Sequence, residues 1–399
     1  MKNNSKTPMH TYGAESLKPY RGLFISPYQS LTNIGWQNIQ LSTMKNIIDA
    51  YAFNNVKEQN NIYNLNSFWN RVIRRFSPNF NESITYPLKL QQIVNKHKIN
   101  FISCNFLDFA LRFHRFIKTQ DIPFLIFCHG RDIIWDYVDP KSGEKQYDKD
   151  FFEKLDSIKD YVYFIANSSF TKSQLEKAGI DPKRIYIKYF GLESKEIIKE
   201  ERKSGGLRLL FVGRLIACKG PVETIKAFIL AKEKGFKGTL TVIGSGALEK
   251  ECRRVVSESN YSDQIFMLGS KPHAEVLERL KEHDVIVAHQ RKDPQTNQEE
   301  ALGISLIEGL SYGLPVITCS SGGVADIISS GYNGYLTPQN DIFTQSLKFL
   351  ELENNVNLYN QMSRNAIATV RTKFSKDVDK QRILDILESI HSTNESASY

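Results

Sequence analysis

Two open α/β domains, each a parallel sheet covered by helices on both faces, are what this sequence predicts. Three observations carry the prediction. Short apolar runs alternate with amphipathic helical stretches along most of the chain. The series breaks at a charged, glycine-ended stretch and then restarts. The 399 residues also exceed what one core usually holds. Short apolar strands alternating with helices are buried on both faces, as in parallel sheets.

The first series runs GLFISPY (22–28), INFISCNF (99–106), PFLIFCHG (123–130), YVYFIANS (161–168) and RIYIKYFG (184–191). EIIKEERKSGG (196–206) reads as the linker. LRLLFVGR (207–214), GTLTVIGSG (238–246), QIFMLG (264–269), DVIVAH (284–289) and PVITCSS (315–321) form the second series. Helical stretches such as PVETIKAFILAKEKG (221–235) and HAEVLERLKEH (273–283) lie between them. GYNGYL (331–336) reads as a glycine-flanked turn. The domains are expected at 1–197 and 205–373.

Hydrophobic content of 41% with 24% charged residues fits a globular chain rather than a disordered one. No run approaches 18 uninterrupted apolar residues, so no transmembrane helix is expected. The first 22 residues are polar and lack the apolar stretch of a signal peptide. Five scattered cysteines form no CxxC, which argues against a disulfide framework or a zinc site and for a reducing, cytoplasmic setting. The net charge of +8 lies wholly in the first 200 residues, with 28 Lys+Arg against 20 Asp+Glu. A one-sided excess suggests an anionic partner or surface. Nucleic acid fits poorly, since the excess is modest and no nucleic-acid module signature appears. NLNSFWNRVIRRF (64–76) has helical spacing, with an apolar stripe edged by Arg71, Arg74 and Arg75. It reads either as a core helix with a basic edge or as a contact with anionic lipid.

In open α/β sheets, ligands bind beyond the carboxyl ends of the strands. After LLFV come Gly213, Arg214, Lys219 and Gly220. Two cations five apart on a strand-to-helix loop can close on one diphosphate, with the helix N-terminus adding N–H donors. Gly244-Ser245-Gly246 also follows a strand, but Glu249 stands where a dinucleotide motif needs its third glycine, so it reads as a turn lining the cleft. EEALGISLIEG (299–309) places Glu300 and Glu308 around a segment that is apolar or glycine at six of seven positions. On one helix they would stand roughly 12 Å apart along the axis. That is too far for a carboxylate pair on one bond, and about the span of a nucleotide-sugar. Gly303, Ile304 and Ser305 fall at the helix start. Gly322 and Gly323 permit close backbone approach, and Asp326 can cap the following helix. In the first half, His129-Gly130-Arg131-Asp132 ends a strand and turns His129 toward the cleft. The loop after the first strand carries Gly35, a candidate acceptor-side position. Asp148-Lys149-Asp150 is a DxD in a lysine-rich polar run and reads as a solvated face.

Taken in order, HGRD (129–132), NSSFTKSQLEKAGIDPKRIYI (167–187), GRLIACKG (213–220), the Glu300-to-Glu308 segment and GLPVITCSSGGVADII (313–328) resemble the retaining glycosyltransferases of family 4, group 1. The resemblance covers most of residues 120–375. It implies the GT-B fold, two doubly wound Rossmann-like domains facing across a cleft. It implies that Arg214 and Lys219 hold a donor diphosphate, Glu308 the ribose and Glu300 the transferred sugar. His129 then lies near the reacting centre, Gly213, Gly244 and the N–H groups of 303–305 lie around the donor, and Gly35 and Asp132 fall on the acceptor side. No metal and no cofactor beyond the nucleotide-sugar are implied. The acceptor is expected to be a glycan or lipid-linked glycan of a bacterial surface polymer, with peripheral attachment at the inner face of the membrane. Residues 374–399 resemble the helix that crosses back to the first domain. Three departures stand out, the first being that the loop after the first strand offers only Gly35 in place of the usual double glycine. Ala301 replaces the usual glycine, and residues 289–299 are longer than in many members, as in exopolysaccharide-type ones. The rival readings are a sugar-nucleotide epimerase and a non-catalytic sugar-nucleotide-binding subunit.

Overall fold

The computed structural model describes residues 20–27, 35–54, 56, 58, 61–65, 85–193 and 199–396. The stripe at 66–76 and the domain boundary at 197 lie outside them.

Two parallel sheets organise the chain. The first contains β1 (Gly22–Ser26), β2 (Ile48–Phe53), β3 (Ile62–Asn64), β4 (Phe101–Asn105), β5 (Phe124–Cys128), β6 (Tyr163–Ala166) and β7 (Ile185–Ile187), in the order β3-β2-β1-β4-β5-β6-β7. The second contains β8 (Arg208–Val212), β9 (Thr239–Ile243), β10 (Ile265–Gly269), β11 (Val285–Val287), β12 (Val316–Cys319) and β13 (Gly334–Thr337), in the order β10-β9-β8-β11-β12-β13. Both orders reverse direction beside their first strand, the switch point where open α/β sheets form a crevice.

Side chains alternate across each strand and feed a core on either face. Leu23 and Ile25 enter one cluster and Phe24 another. Leu209 and Phe211 likewise face one cluster while Leu210 faces the opposite one. This two-sided burial is why the strands read as unbroken apolar runs. Three strands escape that reading. IDAYAF alternates apolar with polar, β3 is three residues long, and β13 emerges from GYNGYL, which is therefore only partly a turn.

The stretch read as a linker is held to the second domain from Lys199 onward. Lys199 donates to the His283 carbonyl, and Arg202 bonds Asn360 and the Glu353 carbonyl. The last helix, Lys376–Ser396, places Ile383, Ile386, Leu387 and Ile390 on one stripe. They pack with Phe24, Phe101 and Leu125 against the first sheet.

The return crossing is fixed where the chain leaves the second domain. The Leu192 N–H donates to the Phe374 carbonyl, and the Lys376 N–H donates to the Leu192 carbonyl, each at 2.8 Å. Beneath them Lys188 and Asp379 form an ion pair, each side chain 2% exposed. Asp379 also accepts from the Gly191 N–H at 3.1 Å. Removing one member leaves a charge buried without its partner. Asp379→Ala is therefore expected to cost about 3–5 kcal/mol in denaturant unfolding. Lys188→Met with Asp379→Leu should recover most of that loss. A cost near zero for Asp379→Ala would show that the crossing does not rest on this pair.

Candidate active site

The site is assembled from loops at the carboxyl ends of both sheets. After β5 the chain turns sharply at Gly130, whose φ is +136°. The buried Asp132 carboxylate fixes this turn by accepting from the N–H groups of His129 at 3.0 Å, Gly130 at 2.9 Å and Leu107 at 3.0 Å. Burial raises its pKa to about 6 against the pull of those bonds. Asp132 is thus committed to the main chain and sets where His129 stands.

The His129 ring lies parallel to Phe190, with centroids 5.7 Å apart, and edge-on to Phe106 at 5.0 Å. Its Nε2 donates to Asn105 Oδ1 at 3.1 Å. Asn105 is locked in a two-way amide pair with the buried Gln40. Loss of hydration first, and the nearby Lys188 charge second, lower the His129 pKa to about 3.

In the second domain, Arg214 follows β8 and is exposed, with no ion pair among the described residues. Lys219 closes a short turn before the helix Pro221–Glu233. Gly213 and Gly244 lie behind these loops, back to back. A Cβ on Gly244 would stand 1.9 Å from the Gly213 carbonyl oxygen. They are spacers between loops, outside the cleft wall.

The helix after β11 is Ile304–Ser311, with Gly303 at its N-cap. Glu300 precedes it in a loop, which corrects the picture of both acids on one helix. The Glu300 carbonyl accepts from the Gly323 N–H at 2.8 Å. A Cβ on Gly322 would come within 1.9 Å of that carbonyl oxygen. The close approach permitted by Gly322 and Gly323 is therefore to the protein's own backbone. Glu299 reinforces it by accepting from the Gly322 N–H and the Ser321 hydroxyl. The Glu300 carboxylate forms an ion pair with Lys219, both largely buried. Glu308 lies one turn inside the helix, where it accepts from His273 Nε2 at 2.7 Å. It does not line the space shared by His129 and Glu300.

That space encloses about 510 Å³ between the domains. It brings together His129, Arg214, Lys219, Glu300, Gly303, Ile304 and Ser305. The helix N-terminus there offers N–H groups suited to an anion. Phe106, Arg131, Asn167, Phe190 and Glu299 also line it, and the sequence reading gave none of them a site role. Phe190 and Asn167 each lie just beyond a strand, a position that could have flagged them. Gly35 opens the helix Gly35–Met44, and the loop before it lies outside the described residues. Asp326 does not cap the following helix. It reaches across the domains to the N–H of Ser169, at the start of the helix Ser169–Lys177, and to the Tyr189 hydroxyl. Asp148 caps the helix Lys149–Ile158, and Asp150 pairs with Lys154 on its surface. Among the described residues no group of three His, Cys, Asp or Glu is placed to hold a metal ion.

A model of glycosyl transferases group 1 matches residues 193–369, and one of glycosyltransferase family 4 matches residues 56–194. The chain belongs to the family 4, group 1 glycosyltransferases. The amylovoran biosynthesis glycosyltransferase AmsK of Erwinia amylovora is 25% identical over 55% of this chain and 51% of its own. The putative colanic acid biosynthesis glycosyltransferase WcaL of Salmonella typhimurium is 25% identical over 55% and 54%. The chain spans about half the length of these two relatives. Anabaena HepE in complex with UDP superposes with a TM-score of 0.69, at 15% identity, over 92% of this chain and all of that one. The lipopolysaccharide outer core galactosyltransferase WaaB gives 0.66 at 17%, over 92% and 99%. At such identities the likeness establishes the fold, which is GT-B.

One expectation for His129 follows. The folded-state pKa of His129 lies below the usual 6.5. The stability that depends on its neutral ring is full above that pH and is lost as the pH falls toward about 3. An NMR titration should find the ring neutral from pH 8 down to pH ~4.5. A midpoint near 6 would show that the ring is solvated.

Proposed function

We propose that this protein is a retaining glycosyltransferase that moves a hexose-type sugar from a nucleoside diphosphate donor to a glycan or lipid-linked acceptor. The observation that carries the reading is the convergence of Lys219, Arg214, the helix start at Gly303–Ser305, Glu300 and His129 on one interdomain space. The second domain would hold the donor and the first the acceptor.

In the transfer, the bond from the sugar carbon to the diphosphate oxygen breaks and its electron pair leaves with the diphosphate. The acceptor oxygen bonds the same carbon and gives up its proton, for which the departing diphosphate is the base being generated. Two demands follow. Negative charge grows on the diphosphate, and Arg214, Lys219 and the N–H groups of 303–305 are positioned to meet it. Positive charge grows on the sugar, and the Glu300 carboxylate faces it while the neutral His129 adds no repulsion. Lys219 exchanges Glu300 for phosphate when the donor enters, which turns the carboxylate toward the sugar. With this positive charge supplied by the chain, the reading requires no metal and no cofactor beyond the donor. Glu308 would take the ribose once His273 gives way.

Relatives named for amylovoran, colanic acid and capsular polysaccharide biosynthesis support a surface-polymer role. HepE has been crystallised with UDP and UDP-glucose, so UDP-sugars are the first donors to test. No helix is long and apolar enough to cross a membrane among the described residues. Peripheral attachment at the inner membrane face, through the basic first half, belongs to the same proposal.

The test is a panel of UDP-, GDP-, ADP- and dTDP-sugars, following nucleoside diphosphate release with and without a membrane lipid extract. One donor should be used, with release stimulated by the extract. Glu300→Ala and Lys219→Ala should each lower it about 10²-fold or more. Tight binding without release under any condition would favour a binding subunit. Epimerised sugar-nucleotide would favour the epimerase, and neither binding nor release would overturn the whole reading.

A further inference from the structure

The space at His129 does not end at Phe106 and Arg131. Those two side chains also wall a second space of about 140 Å³, which is bounded further on by Asp108 and Arg112. Asp108 and Arg112 in turn wall a third space, of about 280 Å³, that reaches Tyr147. The three therefore adjoin one another on the first-domain side, each sharing wall residues with the next. The inner of the two added spaces falls below the usual range for a whole small-molecule site, and the outer lies near its floor. Each is sized for a segment of a longer ligand.

Their chemistry is specific. Asp108 and Arg112 stand four residues apart on the turns after β4, yet form no ion pair with each other. Arg112 instead lies over the Phe109 ring at 5.6 Å, and Arg131 over Tyr137 at 5.9 Å. The inner space thus offers a carboxylate acceptor, guanidinium donors and the Phe106 side chain together, the Phe109 ring being covered by Arg112. Two cations, Arg112 and Arg131, face two acids, Asp108 and Asp132, so the lining is charge-balanced. A balanced wall suits a neutral polyol better than an anion. An aromatic face beside directional donors and acceptors fits a sugar ring, with C–H groups on the ring and hydroxyls on the charges.

We propose that these spaces are subsites for an acceptor glycan, holding the neutral sugars behind the one that receives the transfer. Asp108 and Arg112 read them. This rests on the glycosyltransferase reading above and adds that the acceptor is recognised over two or more sugars.

The experiment uses the full chain, the donor found active in the panel, and glycan released from the glycolipid fraction of the producing cells. Trimming that glycan from its reducing end gives one-, two- and three-sugar fragments that share the accepting end. The wild type should use the longer fragments roughly tenfold better in kcat/KM than the single sugar, the size of one charged hydrogen bond. Arg112→Ala and Asp108→Asn should abolish that preference. A general folding defect would lower all fragments alike, so the ratio isolates the subsites. Equal use of all lengths by the wild type, or a preference kept in both variants, overturns the proposal. So does use of the parent glycolipid with no fragment accepted, which places recognition on the lipid. No transfer to the parent or to any fragment overturns the glycosyltransferase reading itself.

Discussion

The ion pair between Lys219 and Glu300 is the interaction around which the site is arranged. It joins the loop after β8 to the loop after β11, the two loops that flank the crevice of the second sheet. Both partners are largely withdrawn from water, so each needs the other. The pair keeps a cation and an anion at the cleft floor without leaving either charge unmatched. In the proposed reaction an incoming diphosphate would offer Lys219 a second anion and release the carboxylate for a cationic sugar centre. The carboxylate cannot drift far, because the Glu300 carbonyl is held by Gly323 and its neighbour Glu299 by Gly322.

That arrangement has value only if the other half of the cleft stands at a fixed distance. The contacts between domains supply it. Asp326 meets the start of the helix Ser169–Lys177, Asn297 donates to the Asp136 carbonyl at 2.9 Å, and Val138 donates to the Thr296 carbonyl at 3.3 Å. A Cβ on Gly130 would stand 2.8 Å from the Ala301 Cβ. The His129 turn and the Glu300 loop therefore touch directly. Ala301, the departure from the family's usual glycine, is the residue that makes this contact. The extended 289–299 loop, another departure, supplies Asn297 and Thr296. These two departures thus meet the first domain at the same seam.

The sequence was legible where burial is two-sided or where a residue type has one physical use. Strands such as LLFV and VITC show as unbroken apolar runs because both faces of the sheet are covered. IDAYAF and GYLT do not, since they lie at or near sheet edges and need less apolar surface. The cations and Glu300 were readable from their place after strands. The tasks of Asp132, Asp326 and Gly322 were not. Each acts on backbone groups distant in sequence, and spacing carries no record of such partners. Glu308 shows the same limit from the other side. Its eight-residue separation from Glu300 suggested one helix, but Gly303 starts the helix late and leaves the two acids in different surroundings.

The placement of a helix start beside an exposed cation, rather than net charge, gives the proposed site its direction. In the second domain Arg214 and Lys219 stand against Glu299 and Glu300, so the side-chain charges balance there too, and the exposed Arg214 and the helix start are what remain to meet phosphate. In the first domain the lining near Arg131 and Arg112 is balanced by Asp108 and Asp132, and His129 stays neutral. Under the proposed function a diphosphate would seat at Arg214 and the helix start. Seated there, the donor would leave its sugar carbon on the side of His129 and the spaces beyond Phe106. Orientation of the donor would then follow from where a helix start and the exposed Arg214 lie together, which leaves the side of the neutral His129 to an uncharged hydroxyl.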